Sequence, residues 1–290
     1  MKLAIQRRGR RAAFCISHVQ PFFALPANVN LIQTAPFESG GHTISLPAYL
    51  RERDLWNSPI PAVDYALVLL GEIARQWRHE IDYVVVLLHR KLCTTQPLGK
   101  PDAAFSNMWL AAGDSVDVEA ELTRYPEDVV TALPFFFADG LEGQYGRCHL
   151  VHDFWRLLAI CVDAGLLSSS EALAFCSDKV LLWGPTMGQL PVDVVIRLAE
   201  GYERLLEAVA ATDFTCTRPQ DGYQKRCLSF FAERFVGYAL LQELLQELLQ
   251  MGKVSRLPDG GITMARHNIG YCCTVAAGGV APMSYEIGRQ

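Results

Sequence analysis

Apolar residues recur along this chain in two rhythms: unbroken runs suited to buried strands, and a three-to-four spacing suited to helices. The unbroken rhythm is strongest at Ile81-Asp82-Tyr83-Val84-Val85-Val86-Leu87-Leu88. Such a run reads as a strand covered on both faces, as in the centre of a parallel sheet. Residues 12–18 and Val29–Thr34 predict two earlier strands, joined through Pro21, Pro26 and Asn28, with a loop at Glu38–His42. A helix is expected next, with Ser58 as N-cap and Pro59 at its first position. Val63, Leu67, Leu70 and Trp77 would form its apolar face, opposite Asp64, Glu72, Arg75 and Arg78. Strand, strand, helix and buried strand in succession predict an α/β fold.

Beyond Lys91 the pattern loosens, and across 94–147 the clearest apolar run is Val129–Phe137. From His152 the helical rhythm takes over. Phe154, Leu157, Leu158, Cys161 and Val162 make one stripe, and Ser168 with Glu171 fits a capping box. Pro191 opens a helix carrying Val195, Leu198, Tyr202, Leu205 and Val209, and a last helix is expected from about Gly222 to Gly252. In that helix the leucine pairs 240–241, 244–245 and 248–249 recur every four residues, which predicts burial against the protein's own core rather than a coiled coil. The reading is one domain over 1–252, sheet-rich in 12–147 and helical in 148–252. Residues 253–290 follow as a glycine-rich extension, read as a hairpin or a surface-lying tail.

Composition narrows the field. Half of the 290 residues are hydrophobic, which excludes global disorder. A net charge of -5 gives no electrostatic footprint for nucleic acid. The basic cluster Arg7-Arg8-Gly9-Arg10-Arg11 precedes an apolar stretch too short for a signal-peptide core, so a first strand is expected there. No segment approaches the ~20 apolar residues that a membrane-spanning helix needs. The nine cysteines are odd in number and contain no CxxC pair. That pattern predicts free thiols and a reducing, cytoplasmic setting. Cys272 and Cys273, being adjacent, are expected not to share one core from a strand.

Three places carry candidate chemistry. His89-Arg90-Lys91 ends the predicted buried strand, where open α/β sheets bind their ligands, and its cations suit an anion such as a phosphate ester. Cys148-His149-Leu150-Val151-His152-Asp153 offers two imidazoles and a carboxylate, readable as metal ligands or as a helix cap at Asp153. Arg226, Glu233 and Arg234 place charges among Phe230, Phe231 and Phe235 on the last helix. Walker, GxGxxG, EF-hand and GxSxG patterns are all missing from the sequence.

Taken together, these motifs resemble a bacterial glycosyltransferase-like family associated with capsular and exopolysaccharide synthesis. Its members end an early strand in Thr-His-Lys and a later one in Gly-Leu-Cys-His-Tyr-Arg-Arg. Tyr, His and Asp then open a helix, and a Gly-Phe-Leu-Ala-Glu-Arg-Leu helix follows. The counterparts here are Ser17-His18, Asp82–Leu88 with His89-Arg90-Lys91, Tyr145 with His152-Asp153, Gln224-Lys225-Arg226, and Ser229–Phe235, in the same order across residues 12–250. Val19 stands where the family has Lys, and the strand end is one residue more compact. The family's Asn-Met-Phe segment is reduced to Thr186-Met187-Gly188.

The resemblance implies a GT-A-like fold with a mostly parallel sheet. It also implies sugar transfer from a nucleotide-diphosphate donor to a saccharide or other hydroxyl acceptor. On that reading His18, His89, Arg90, Lys91, Tyr145, Arg226 and Arg234 bind the donor, and Asp153, Glu233 and His152 are the catalytic candidates. Arg90 and Lys91 would do the work of the divalent ion that Asp-x-Asp strands hold, so no metal or other cofactor is expected. Two alternatives stand beside it: a non-catalytic partner-binding protein, and a metal hydrolase built on His149, His152 and Asp153. The sequence leaves the oligomeric state open.

Overall fold

The computed structural model describes residues 3–102, 108–182, 187–250, 254–256, 262–264 and 269–276. The chain begins with β1 (Arg11–Ser17), β2 (Val29–Gln33), β3 (Thr43–Ser45), α1 (Leu46–Glu52) and α2 (Ala66–Trp77). Next come β4 (Tyr83–Leu88), β5 (Lys91–Thr94), β6 (Lys100–Pro101), β7 (Met108–Ala112) and α3 (Val118–Arg124). Then follow β8 (Val130–Ala132), β9 (Phe135–Phe136), α4 (Gly140–Cys148), α5 (Val151–Asp163) and α6 (Ser169–Ser177). The remainder comprises β10 (Val180–Leu181), β11 (Gly188–Pro191), α7 (Val192–Ala210), α8 (Cys227–Gln250), β12 (Val254–Arg256), β13 (Ile262–Met264) and β14 (Ile269–Ala276).

One large sheet runs β3-β2-β1-β4-β11-β8-β14-β7-β6, with β5 bridging β4 and β14. The first four strands are all parallel. The sheet is nonetheless mixed rather than mostly parallel, because β11 lies antiparallel to both β4 and β8, and β5 antiparallel to β14. Val84, Val85, Val86 and Leu87 are buried throughout, as a strand covered on both faces requires. Helix α7 lies against β4 and β11. Gly71 lets α2 approach α7 so closely that an added Cβ would lie 2.1 Å from that of Ala199. Among the described residues no helix is long and apolar enough to cross a membrane.

Several expectations need correction. Ser58 does not cap α2: its hydroxyl meets Tyr65 Oη at 2.8 Å, and a 3-10 turn over Ala62–Tyr65 leads into the helix instead. A helix unforeseen in the sequence, α1, is capped by Ser45, whose Oγ accepts from Ala48 N. Val63 and Asp64 exchange their expected places, Val63 being 45% exposed and Asp64 7%. The turn, not the helical period, sets their orientation. The capping box at Ser168 and the start of α7 after Pro191 are as read from the sequence.

The extension after 252 is not separate from the domain. β12 and β13 form a small hairpin, but β14 enters the main sheet beside β7, β8 and β5. Cys272 and Cys273 are both fully buried, because both faces of β14 are covered. All nine cysteines are free. Leu240, Leu241 and Leu244 are buried in the core as expected. The side chains of Leu245, Leu248 and Leu249, together with Thr186 and residues 277–290, lie outside the described residues.

Candidate active site

Strands β1 and β4 are parallel neighbours in a register that pairs Ile16 with Leu88, so their carboxyl ends emerge side by side. His89 N donates to Ile16 O at 3.2 Å, and the His18 and His89 rings meet edge-on with centroids 4.5 Å apart. Phe22 closes on the same imidazole at 5.8 Å, and its N–H donates to His89 O at 2.8 Å. The chain then reverses tightly, pairing Leu88 with Lys91 as β5 begins. Arg90 O accepts from Val275 N at 2.8 Å, which ties the turn to β14. His89, Arg90 and Lys91 are each half-buried.

Burial, followed by His18 and the Arg90 and Lys91 cations, pushes the His89 imidazole down to about 4. At neutral pH it is therefore an uncharged hydrogen-bonding group, and the positive charge of the turn rests on Arg90 and Lys91 alone. This agrees with the sequence reading of an imidazole followed by two fixed cations.

The crossover through α2 adds a second layer. A helix joining parallel strands runs against them, so the turn that begins α2 stands at the carboxyl edge of the sheet. This turn carries Asp64, whose Oδ1 accepts from Ser229 Oγ at 2.7 Å. Its Oδ2 is buried and meets no hydrogen-bond donor among the described residues. The buried Tyr202 hydroxyl also faces this carboxylate, and each perturbs the other's titration. Burial pushes the Asp64 carboxyl up to about 6, against the opposing pull of Ser229, Arg226 and Tyr202.

The remaining candidates lie in the helical half. Tyr145 is fully buried, its hydroxyl donating to Cys227 O at 3.3 Å beneath the Arg234 guanidinium, which lies 5.1 Å from the ring. Arg234 is only 3% exposed and donates twice to Gln144 Oε1 and once to Phe230 O, with Glu233 at 3.9 Å. Burial holds its pKa below the usual arginine value. Arg226 lies over Phe230 at 5.2 Å. Glu233 and Lys91 both act electrostatically on the buried Cys272 thiol, with opposite signs.

Asp153 is fully buried, and both its oxygens accept from Thr217 N, with Thr217 Oγ1 at 2.6 Å from Oδ1. It fastens the loop after α7, and an exposed His152 points the other way. His149 stacks between Phe230, 4.0 Å away, and Tyr223, 5.2 Å away, and its Nδ1 is buried without a partner. Its imidazole is pushed down to about 3 by burial and the nearby arginines. His149, His152 and Asp153 thus do not converge. Among the described residues no three His, Cys, Asp or Glu side chains form a metal ligand set.

The structure therefore joins His18 with His89-Arg90-Lys91, and Tyr145 with Arg234, while Asp153 acts on Tyr145 from its bonds to Thr217 and His152 is exposed. Sequence reasoning missed Asp64 and Ser229, which are 165 positions apart. The only available signal was an aspartate beside a proline-rich helix start. A cleft of about 540 Å³ opens at the other end of β4, lined by Arg78, His79, Ile81–Tyr83 and Pro191–Asp193. Its charges are already paired, Arg10 with Asp82 at 2.6 Å and Arg78 with Asp193 at 2.7 Å, and it carries no chemistry of its own.

This is the architecture of a mixed α/β protein. No family model matches the chain, and no curated protein sequence does so either. Among solved structures it is similar to the apo structure of WbbM, a bifunctional glycosyltransferase, with a TM-score of 0.57 at 14% identity. The match covers 97% of this chain and 48% of the other, so the chain spans about half of WbbM's length. At that identity the likeness establishes a shared fold, one used by a glycosyltransferase.

Proposed function

We propose that this protein is a glycosyltransferase of GT-A-like architecture that transfers a sugar from a nucleotide-diphosphate donor to a hydroxyl acceptor. The observation that carries the reading is the junction of His18 and His89 at the ends of adjacent parallel strands, with Arg90 and Lys91 in the turn that follows. The WbbM-like fold and the strand-end motifs of a capsule and exopolysaccharide family agree with it.

On this reading the acceptor oxygen attacks the anomeric carbon, and the bond to the diphosphate breaks. The departing oxygen takes the electron pair, and Arg90 and Lys91 oppose its growing charge directly. Two carboxylates in that place would repel the diphosphate and require a cation between them; two basic side chains do not. Neutral His89 and its neighbour His18 donate hydrogen bonds to the same phosphates. Arg226 extends the basic edge, and Tyr145 and Arg234 brace it from beneath. On this reading Glu233, partly exposed on α8, takes the acceptor proton. Asp153 is committed to Thr217 and serves the scaffold.

Donor turnover in excess chelator tests the proposal. Sustained turnover that is lost in Arg90→Ala supports it, and strict dependence on manganese refutes the cation-assisted departure.

A further inference from the structure

The loop from β1 to β2 passes the carboxyl end of β4, where the proposed donor site lies, and Phe22 in that loop meets His89 twice. Its N–H donates to His89 O at 2.8 Å, and its ring stands edge-on to the imidazole, 5.8 Å away at 89°. The His18 ring lies against the same imidazole at 4.5 Å and 75°. Two near-perpendicular rings thus bear on His89. Phe22 is itself seated tightly. Its carbonyl oxygen comes so near Gly113, in the turn that follows β7, that a Cβ there would lie 2.0 Å from it. The same Cβ would lie 3.6 Å from Val275 Cγ1, and Val275 N donates to Arg90 O at 2.8 Å. Gly113 therefore adjoins both residues whose backbone N–H groups bind the His89-Arg90 turn. Phe22 is only half-buried, between the buried Pro21 and Phe23, so its ring is not needed to fill the core.

We propose that Phe22, seated on Gly113, is a positioning residue of the donor site: it orients His89 toward the diphosphate without touching the reacting atoms. This rests on the glycosyltransferase reading and deepens it. A neutral imidazole gives a phosphate oxygen one hydrogen bond, from the ring nitrogen that carries the proton, and that bond weakens steeply with angle. A ring left free would lose its rotamer freedom on binding, whereas one clamped by its neighbours has already lost it on folding.

The test compares wild type, Phe22→Ala, Phe22→Tyr and Gly113→Ala by calorimetric titration with UDP and GDP, with the His89 titration followed by NMR. Phe22→Ala removes the ring and keeps the backbone bond. It should weaken the preferred nucleoside diphosphate about five- to ten-fold. It should also raise the His89 pKa from about 4 toward the ordinary histidine value, because burial is the main cause of the depression. Phe22→Tyr, which keeps the ring, should bind as the wild type does. Gly113→Ala displaces Phe22 O and should lower affinity in the same direction. In the double variant Phe22→Ala/Gly113→Ala the two losses should not add, since both act through Phe22. Unchanged affinity in a folded Phe22→Ala overturns the inference. An affinity loss that leaves the His89 titration as in the wild type overturns it as well, as do strictly additive losses. If Gly113→Ala fails to fold, the two Phe22 variants decide alone; if Phe22→Ala fails, Phe22→Leu replaces it, keeping apolar bulk without the flat ring. A wild-type protein that binds neither UDP nor GDP overturns the glycosyltransferase reading, and the His89 titration then still shows whether Phe22 holds the ring.

Discussion

Replacing Asp64 by Asn should make the protein more stable at neutral pH, by an amount that grows as the pH rises. The Asp64 carboxyl is raised from 3.8 to about 6 in the fold, chiefly by burial. Its folded-state pKa lies above its unfolded value, so the folded chain holds the proton more tightly. The associated stability is fully present below the unfolded pKa and is lost as pH rises through about 6. A displacement of roughly two pH units corresponds to about 3 kcal/mol. Asn carries no charge in either state and escapes this loss. Denaturant unfolding of both proteins between pH 5 and pH 7.5 measures the difference, and roughly half of the full effect falls in that interval. His89 and His149 also titrate abnormally, but both proteins contain them and the subtraction removes their slopes. A stability difference that is flat with pH, or one that increasingly favours the wild type, would refute the reasoning. It would mean that the ionised carboxylate is fully satisfied by Ser229, Tyr202 and Arg226.

Arg90→Ala should leave the fold intact, since the backbone of the turn makes the bond to Val275, and should cut nucleoside diphosphate affinity about ten-fold, read by thermal shift. Gly71→Val should lower the melting temperature sharply, with a cost of about 3 kcal/mol, because no room exists between α2 and α7. His149→Phe should keep the stack on Phe230 and flatten the acid limb of the stability profile. His149 is held neutral by a pKa lowered to about 3, so the wild type loses stability as pH falls below the ordinary histidine value, and melting curves between pH 4 and 7 would show the change. Asp153→Ala should cost about 2–4 kcal/mol and expose residues 212–222 to protease, whereas Asp153→Asn keeps an acceptor for Thr217 and most of the stability. Loss of turnover in a well-folded Asp153→Asn would return that residue to the chemistry.

The strand–helix–strand core was legible because burial leaves a one-dimensional trace: Tyr83–Leu88 must be apolar on both faces to sit between β1 and β11. The Ser168 box and Pro191 were legible for a related reason, since caps act over three or four residues. What escaped were features set by contacts between distant segments. Asp64 looked like a solvent-facing residue because its turn departs from the helical period just before α2 begins. β14 looked like a loose tail because its glycine-rich flanks hid an eight-residue strand whose partners lie far back in the chain. At the site, the strand-end residues were found as local runs, and the resemblance linked them to the last helix. Neither could reveal that His89 is neutral or that Asp153 is spent on Thr217, because both depend on burial and partners.

The position of β14 also constrains how this molecule comes into being. Its Cys272 lies opposite Cys93, more than half the chain away, and it joins β7, β8 and β5. During synthesis those strands must wait, edges bare, until the ribosome has released residue 276. The first half of the protein therefore passes through a stage in which it is sticky and incomplete, and one late insertion ends its exposure to aggregation.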